Sequence, residues 1–274
     1  MGKHTRIDWC DSTWSPVTGC LHDCEYCYAR RIAERFGANQ MPIFADYPVL
    51  HEPVRCTDTY AYMRDAGIST GKIQPYPFGF APTFHRYKLD EPQHWKKPRT
   101  IFVCSMADLF GEWVPDEWIA EVFQACEAAP QHRYMFLTKN PARFKQLREN
   151  GIKLPNDCWI GTSVTRDAEE ADQYTGKTRY LTDNWDTTAK WFASVEPILE
   201  PMSRSSIENL TAMNWVIVGA ETGRRAGKVV PRKWWIDEIA EECKRCRTPI
   251  FMKESLRELM GADFRQEFPW ETAK

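Results

Sequence analysis

The stretch "TIFVCSMADLFGEWVPDEWIAEVFQACEAAPQHRYMFLTKN", Thr100 to Asn140, holds one strand–helix–strand unit. A short apolar run opens it. Pro115 and Asp116 then give a helix-start signal, with Trp118, Val122 and Ala125 at helical spacing behind them. A second apolar run, "YMFLTK", follows. Runs that are apolar nearly throughout, rather than at alternate positions, suit strands covered on both faces, as in a parallel sheet with helical crossovers.

The same alternation extends in both directions. Further apolar runs are "TWSPVTG" (13–19), "CWIGTSV" (158–164), "KWFASVEP" (190–197), "NWVIVGAE" (214–221) and "PIFMKE" (249–254). "PARFKQLREN" (141–150) and "PRKWWIDEIAEECKRC" (231–246) read as helices, each opened by proline. The pattern predicts an α/β fold over residues 1–274 as one domain, a partial (β/α) TIM-like barrel with six core parallel strands and a possible seventh. Residues 39–99 are the exception. They are rich in Pro, Tyr and His, show no clear period, and read as a long insertion or lid after the first unit.

With 274 residues and 43% hydrophobic content the chain can bury a large core. A net charge of -2 and a pI near 6.3 give no global basic field, so any nucleic-acid contact would rest on local patches. The start lacks a secretory signal, Arg6 breaks the myristoylation pattern, and no later stretch approaches a membrane span; a cytoplasmic location without membrane partners is expected. In such a compartment the ten cysteines are free thiols or metal ligands. Cys10, Cys56, Cys126 and Cys158 stand singly and read as small core hydrophobes.

Parallel barrels carry their chemistry at the carboxyl ends of the strands. Here polar residues close every run: Cys20 to Cys27 after the first, then Ser105 and Asp108, Thr138 and Lys139, Thr162 and Ser163, Glu196, Glu221, and Lys253. Strands must end in something polar, so the signal is the set rather than any one member.

The first of these, "TGCLHDCEYCYARR" (18–31), is the most specific. Three thiols leave one over in any disulfide pairing, and a closed zinc site wants four ligands. The spacing Cys-x3-Cys-x2-Cys lets one loop wrap Cys20, Cys24 and Cys27 around a cuboidal iron–sulfur cluster, leaving one iron open to a ligand. Tyr26 would sit beside that ligand. The alternative is zinc, with His22 or Cys10 as the fourth ligand.

This loop resembles the signature of the radical S-adenosylmethionine (SAM) superfamily, and within it the loop of spore photoproduct lyases. From "TWSPVTGC" through "SMADLF", "LTKN", "SVEP" and "VIVGAETG" to "FMKE", the chain also resembles a phage-associated and bacterial radical SAM-like family of unassigned function. The resemblance implies a 4Fe-4S cluster on Cys20, Cys24 and Cys27 with SAM on the open iron against Tyr26. Reductive cleavage would give a 5'-deoxyadenosyl radical that abstracts hydrogen from a substrate. "LTKN" implies that Lys139 meets the SAM carboxylate, and "GTSV" implicates Ser163 at the ribose. "VCSMADL" suggests Cys104 as a hydrogen donor, although Asp108 stands one step further from it than the lyase pattern has; the alternative is a plain strand cysteine.

Ser105, Asp108 and Thr138 are the remaining candidates for cofactor binding, and Glu196, Glu221 and Lys253 for catalysis. A nucleic-acid pyrimidine, repaired or hypermodified, is the expected substrate, with a reductase such as flavodoxin or ferredoxin as partner. The rival is a non-catalytic zinc or iron–sulfur protein acting as a docking module. Cys243 and Cys246 read as a half-buried thiol pair at a helix end. "VGAETGRRAGK" offers Arg224, Arg225 and Lys228 to a phosphate or to solvent. Tyr87 and Trp95, near Lys96, Lys97 and Arg99, are candidates for touching a base.

Overall fold

Each of the seven apolar runs supplies a strand. The computed structural model describes residues 5, 7–37, 47–57, 69–167 and 188–272. Its main sheet contains β1 (Ser12–Trp14), β7 (Thr100–Val103), β8 (Arg133–Thr138), β9 (Trp159–Ser163), β10 (Lys190–Val195), β11 (Trp215–Val218) and β12 (Ile250–Met252), hydrogen-bonded in that order. Every pairing is parallel. The sheet curls into a partial TIM-like barrel with seven strands.

Side-chain alternation gives the two faces different jobs. Outward residues such as Ile101, Val103, Phe136, Ile160, Val195, Val216 and Val218 join two apolar clusters. Helices cover that face: α2 (Asp116–Glu127), α3 (Arg143–Glu149), α4 (Arg204–Thr211) and α5 (Lys233–Cys246). Cys126 and Cys158 are buried in it. The inward face carries an aromatic layer of Phe102, Trp159, Phe192, Trp215 and Phe251. Further along the same strands it turns polar, at Ser163, Ser194 and Lys253. Gly161 makes room within that layer, because a Cβ there would lie 2.2 Å from the Phe192 ring.

The first run does not form one strand. Pro16, which cannot donate a ladder hydrogen bond, separates β1 from β2 (Val17–Thr18). β2 leaves the barrel and pairs antiparallel with β6 (Thr83–His85), which also pairs with β3 (Val49–Leu50). The described parts of the 39–99 insertion thus include short strands, 3-10 turns at Arg86–Lys88 and Glu91–His94, and loop. A second small sheet there is the hairpin of β4 (Arg55–Thr57) and β5 (Ser69–Ile73).

Of residues 7–10, Trp9 enters the barrel, Ile7 and Cys10 are half-buried against its inner layer, and Asp8 is exposed. Trp9 is 3% exposed and packs on Phe102, Phe192 and Trp215, with ring centroids 4.8, 6.2 and 6.5 Å away. The Glu254 amide donates to Asp8 just beyond β12. Cys10 packs against this inner layer. No helix among the described residues is long and apolar enough to cross a membrane.

Candidate functional site

A cavity of about 1120 Å³ lies at the carboxyl ends of the barrel strands. Cys20, Cys24 and Cys27 all border it, together with Tyr26, Ser105, Asp108, Thr138, Lys139, Ser163, Glu196, Glu221 and Lys253. The strand-end pattern therefore converges in space. A smaller cavity of about 370 Å³ shares His22, Cys24, Tyr26 and Lys139 with it.

The cysteine loop is fixed at both ends. At its start Gly19 adopts φ 87, and a Cβ there would fall 2.2 Å from the Ala81 carbonyl oxygen, so only glycine fits against the insertion. Its amide donates to Met106, and the Cys20 amide to Phe80. At its end Cys27 caps α1 (Tyr28–Phe36), its Sγ accepting from the Arg30 amide at 3.3 Å. That position places the sulfur at the positive end of the helix dipole. Burial pushes the Cys20 thiol up to about 12. A metal binding the thiolate would reverse that shift.

Asp108 braces this loop from beneath. Its Oδ2 accepts from His22 Nε2 at 2.7 Å, Thr138 Oγ1 at 3.0 Å and the Lys139 amide at 2.9 Å, and its Oδ1 accepts from the Phe110 amide at 3.0 Å. The residue is 4% exposed. Thr138 also accepts from the Asn140 amide. Both residues reach the cavity edge with their hydrogen-bonding groups committed to protein, which makes them supports of the site rather than ligand contacts.

Tyr26 and Lys139 stand together at the cavity wall. The Lys139 ammonium lies 5.2 Å from the Tyr26 ring centroid. Burial raises the phenol above its usual range, while hydrogen bonds from Lys139 and Thr165 oppose that rise. Ser163 stands beside Ser194 in the β9–β10 ladder, and both border the cavity. Across the barrel Lys253 Nζ donates to Glu196 Oε1 at 2.6 Å.

Several expected residues take other places. Cys104 does not border the cavity; it turns to φ 55 at the end of β7, is 2% exposed and packs in the outer cluster with Cys126. Trp95 also packs on that cluster, with Arg99 stacked on its ring at 4.9 Å, whereas Tyr87 does reach the cavity. Arg225 is taken up by Glu221 at 2.6 Å and Glu25 at 3.0 Å, so it ties the loop after β11 to the cysteine loop. Of the second thiol pair, Cys243 is buried and Cys246 exposed.

The donor set suits the two metals that the spacing allows unequally. Among the described residues no three His, Cys, Asp or Glu side chains gather on a single metal ion. His22 is held by Asp108, and Cys10 lies in the inner aromatic layer, so neither completes a zinc tetrahedron. A cuboidal cluster makes a different demand. Each thiolate binds its own iron, so the three sulfurs face a common space without converging on one point. Three cysteines of one loop bordering one large cavity fit that demand.

A family model described as a protein of unknown function, DUF5131, matches residues 4–257. The chain belongs to the DUF5131 family. No curated protein matches it. Among solved structures it is similar to a cysteine-to-alanine variant of spore photoproduct lyase with dinucleoside spore photoproduct. That match has a TM-score of 0.50 at 10% identity, covering 92% of this chain and 79% of the other. A further cysteine-to-alanine variant of spore photoproduct lyase gives a TM-score of 0.49 at 10% identity, with the same coverage. A double variant with bound AdoMet and dinucleoside spore photoproduct gives 0.47 at 10% identity, covering 98% and 79%. At such identity the likeness is one of fold.

Sequence reasoning missed the bracing residues. From sequence His22 reads as a metal ligand and Arg225 as a phosphate contact or a solvated residue, yet each joins the cysteine loop to a distant strand end. The signal available was limited to their position: both lie in loops that follow barrel strands.

Proposed function

We propose that this chain is a radical SAM enzyme acting on a pyrimidine in nucleic acid. The observation that supports it is the presentation of Cys20, Cys24 and Cys27, from one loop, to a large cavity ringed by the polar ends of parallel strands. Bound there, a 4Fe-4S cluster with SAM would supply a 5'-deoxyadenosyl radical for hydrogen abstraction.

The chain's own residues would do the rest. Cys20, Cys24 and Cys27 hold the cluster and leave one iron to SAM. Lys139 pairs with the SAM carboxylate, a charge-assisted contact. Tyr26 lies against the adenosyl group and Ser163 at its ribose. The aromatic layer beneath keeps water and stray hydrogen donors from the floor of the cavity. Asp108 fixes the loop, and Glu196, Lys253 and Glu221 remain for the substrate.

Anaerobic reconstitution with iron and sulfide tests this. The expected protein is brown, with the broad visible absorption of a cluster, and releases 5'-deoxyadenosine from SAM on reduction. Cys24→Ala removes both signals, whereas Cys243→Ala, in a buried position far from the loop, keeps them. A colourless protein that retains one zinc would sink the proposal in favour of a docking module.

A further inference from the structure

Glu221 carries an oxygen without a partner. Its side chain is 1% exposed, Oε1 is held by Arg225 Nε at 2.6 Å, and Oε2 has no hydrogen-bond partner among the described residues. A buried carboxylate oxygen left unbonded is costly, so such a group points to a donor that arrives with a ligand. Arg225 keeps the carboxylate from swinging elsewhere. The residue borders the main cavity.

The neighbouring strand end supplies the complementary group. Lys253, after β12, gives one of its three ammonium hydrogens to Glu196 at 2.6 Å. Gly219 lies under this pair; a Cβ there would come 3.0 Å from Lys253 Cδ and 3.3 Å from Glu196 Cδ. An acceptor on β11 and a donor on β12 thus border the same space, with the Ser194 hydroxyl of β10 below them.

The open acceptor decides what class of group fits. Glu25, Glu196 and Glu221 are balanced here by Arg225, Lys253 and Arg31, whose guanidinium stands 3.8 Å from an ideal Cβ on Gly223, so the unpartnered acceptor on Glu221, rather than net charge, selects a group that brings its own N–H. A neutral group with an N–H beside a carbonyl would satisfy both sides. The cavity wall also holds Lys88 and Tyr87, which together with Arg31 suit a phosphodiester and a stacked ring.

We infer that the ends of β10, β11 and β12 form a subsite for the hydrogen-bonding edge of a neutral nucleobase. Glu221 Oε2 accepts its ring N–H, Lys253 Nζ donates to its carbonyl, and the phosphodiester runs toward Arg31 and Lys88. This rests on the nucleic-acid reading above and goes beyond it by naming the residues that read the base.

The test uses reconstituted protein with SAM under anaerobic conditions and three probes: labelled oligothymidylate, an abasic oligonucleotide of equal length, and thymidine. The wild type is expected to prefer oligothymidylate over the abasic strand. Glu221→Gln and Lys253→Met each weaken oligothymidylate and thymidine binding by roughly tenfold or more, without changing abasic binding. Arg31→Ala weakens both strands alike and spares thymidine. Cluster absorption and melting temperature report folding, and because the two base-reading variants lie on different strands, misfolding of one leaves the other informative.

Unchanged thymidine binding in both folded variants overturns the subsite. So does a weakened affinity of Glu221→Gln for SAM alone, since the carboxylate would then serve the cofactor. Wild-type protein that binds thymidine but neither strand keeps the subsite and removes the nucleic-acid reading; protein that binds none of the three removes both.

Discussion

Asp108 shows how one side chain ties three segments together. A carboxylate only accepts, and this one takes four donors from His22, Thr138, Lys139 and Phe110. Asparagine is nearly isosteric but must place an NH2 where one of its oxygens stood. Either orientation then faces donor against donor, at Phe110 on one side or at the other three on the opposite side. Leaving buried donors unpaired costs about 1–3 kcal/mol, more where a charge is involved. Asp108→Asn is therefore expected to lower the unfolding free energy measured in urea by that much and to retain less iron after reconstitution, because His22 no longer anchors the cysteine loop. A variant with wild-type stability and full iron content would show that Asp108 is not a brace. The motif "SMADL" marked Asp108 as a strand-end residue from sequence. Its role was not legible, because the donors come from positions as far as 86 residues away in sequence.

At the scale of elements, the cysteine loop depends on its seat against the insertion. Gly19→Ala forces an L-residue to φ 87 and drives a methyl into the Ala81 backbone, 2.2 Å away. The conformational cost is about 1–2 kcal/mol, and overpacking adds about 1–3 kcal/mol. Gly71 at φ 75 has nothing within 4 Å of its ideal Cβ, so Gly71→Ala carries only the first cost. Equilibrium denaturation of the two variants separates the terms, and equal losses would contradict the seat. The seven strand runs were readable because each is a local pattern, apolar throughout and followed by helix signals. The insertion's strands were not. β2 and β3 have two residues each, too few to show a period, and β2 is specified by pairing with β6 some sixty residues on. For the same reason "TWSPVTG" reads as one strand, although Pro16 divides it between two sheets.

At the scale of the whole molecule, a curled parallel sheet whose edges do not meet leaves unpaired strand edges and an open wall, a liability unless something covers it. Here β1 and β12 are those edges; residues 265–267 bridge the outer side of β12, where the Met252 amide donates to Arg265 and the Glu267 amide to Ile250, and the segment before β1 reaches from the foot of β7 to the end of β12. Asp11 exchanges hydrogen bonds with Thr100 at the foot of β7, and Asp8 accepts from Glu254 above β12. Trp9 enters the barrel between these ties and completes the aromatic layer on which the cavity rests. Ile7 and Trp9 also line that cavity, so the plug belongs to the site as well as to the core. Truncating a buried tryptophan removes its transfer free energy and leaves a void that a rigid aromatic layer fills poorly, about 3–5 kcal/mol in comparable cores. Trp9→Ala is thus expected to cost that much in urea denaturation of the metal-free protein, far more than truncation of the half-exposed Trp234 on the outside of α5. It should also admit solvent to the cavity floor, seen as stronger binding of a polarity-sensitive dye. A loss under about 1 kcal/mol, typical of a surface position, would mean that the barrel closes without its N-terminal segment.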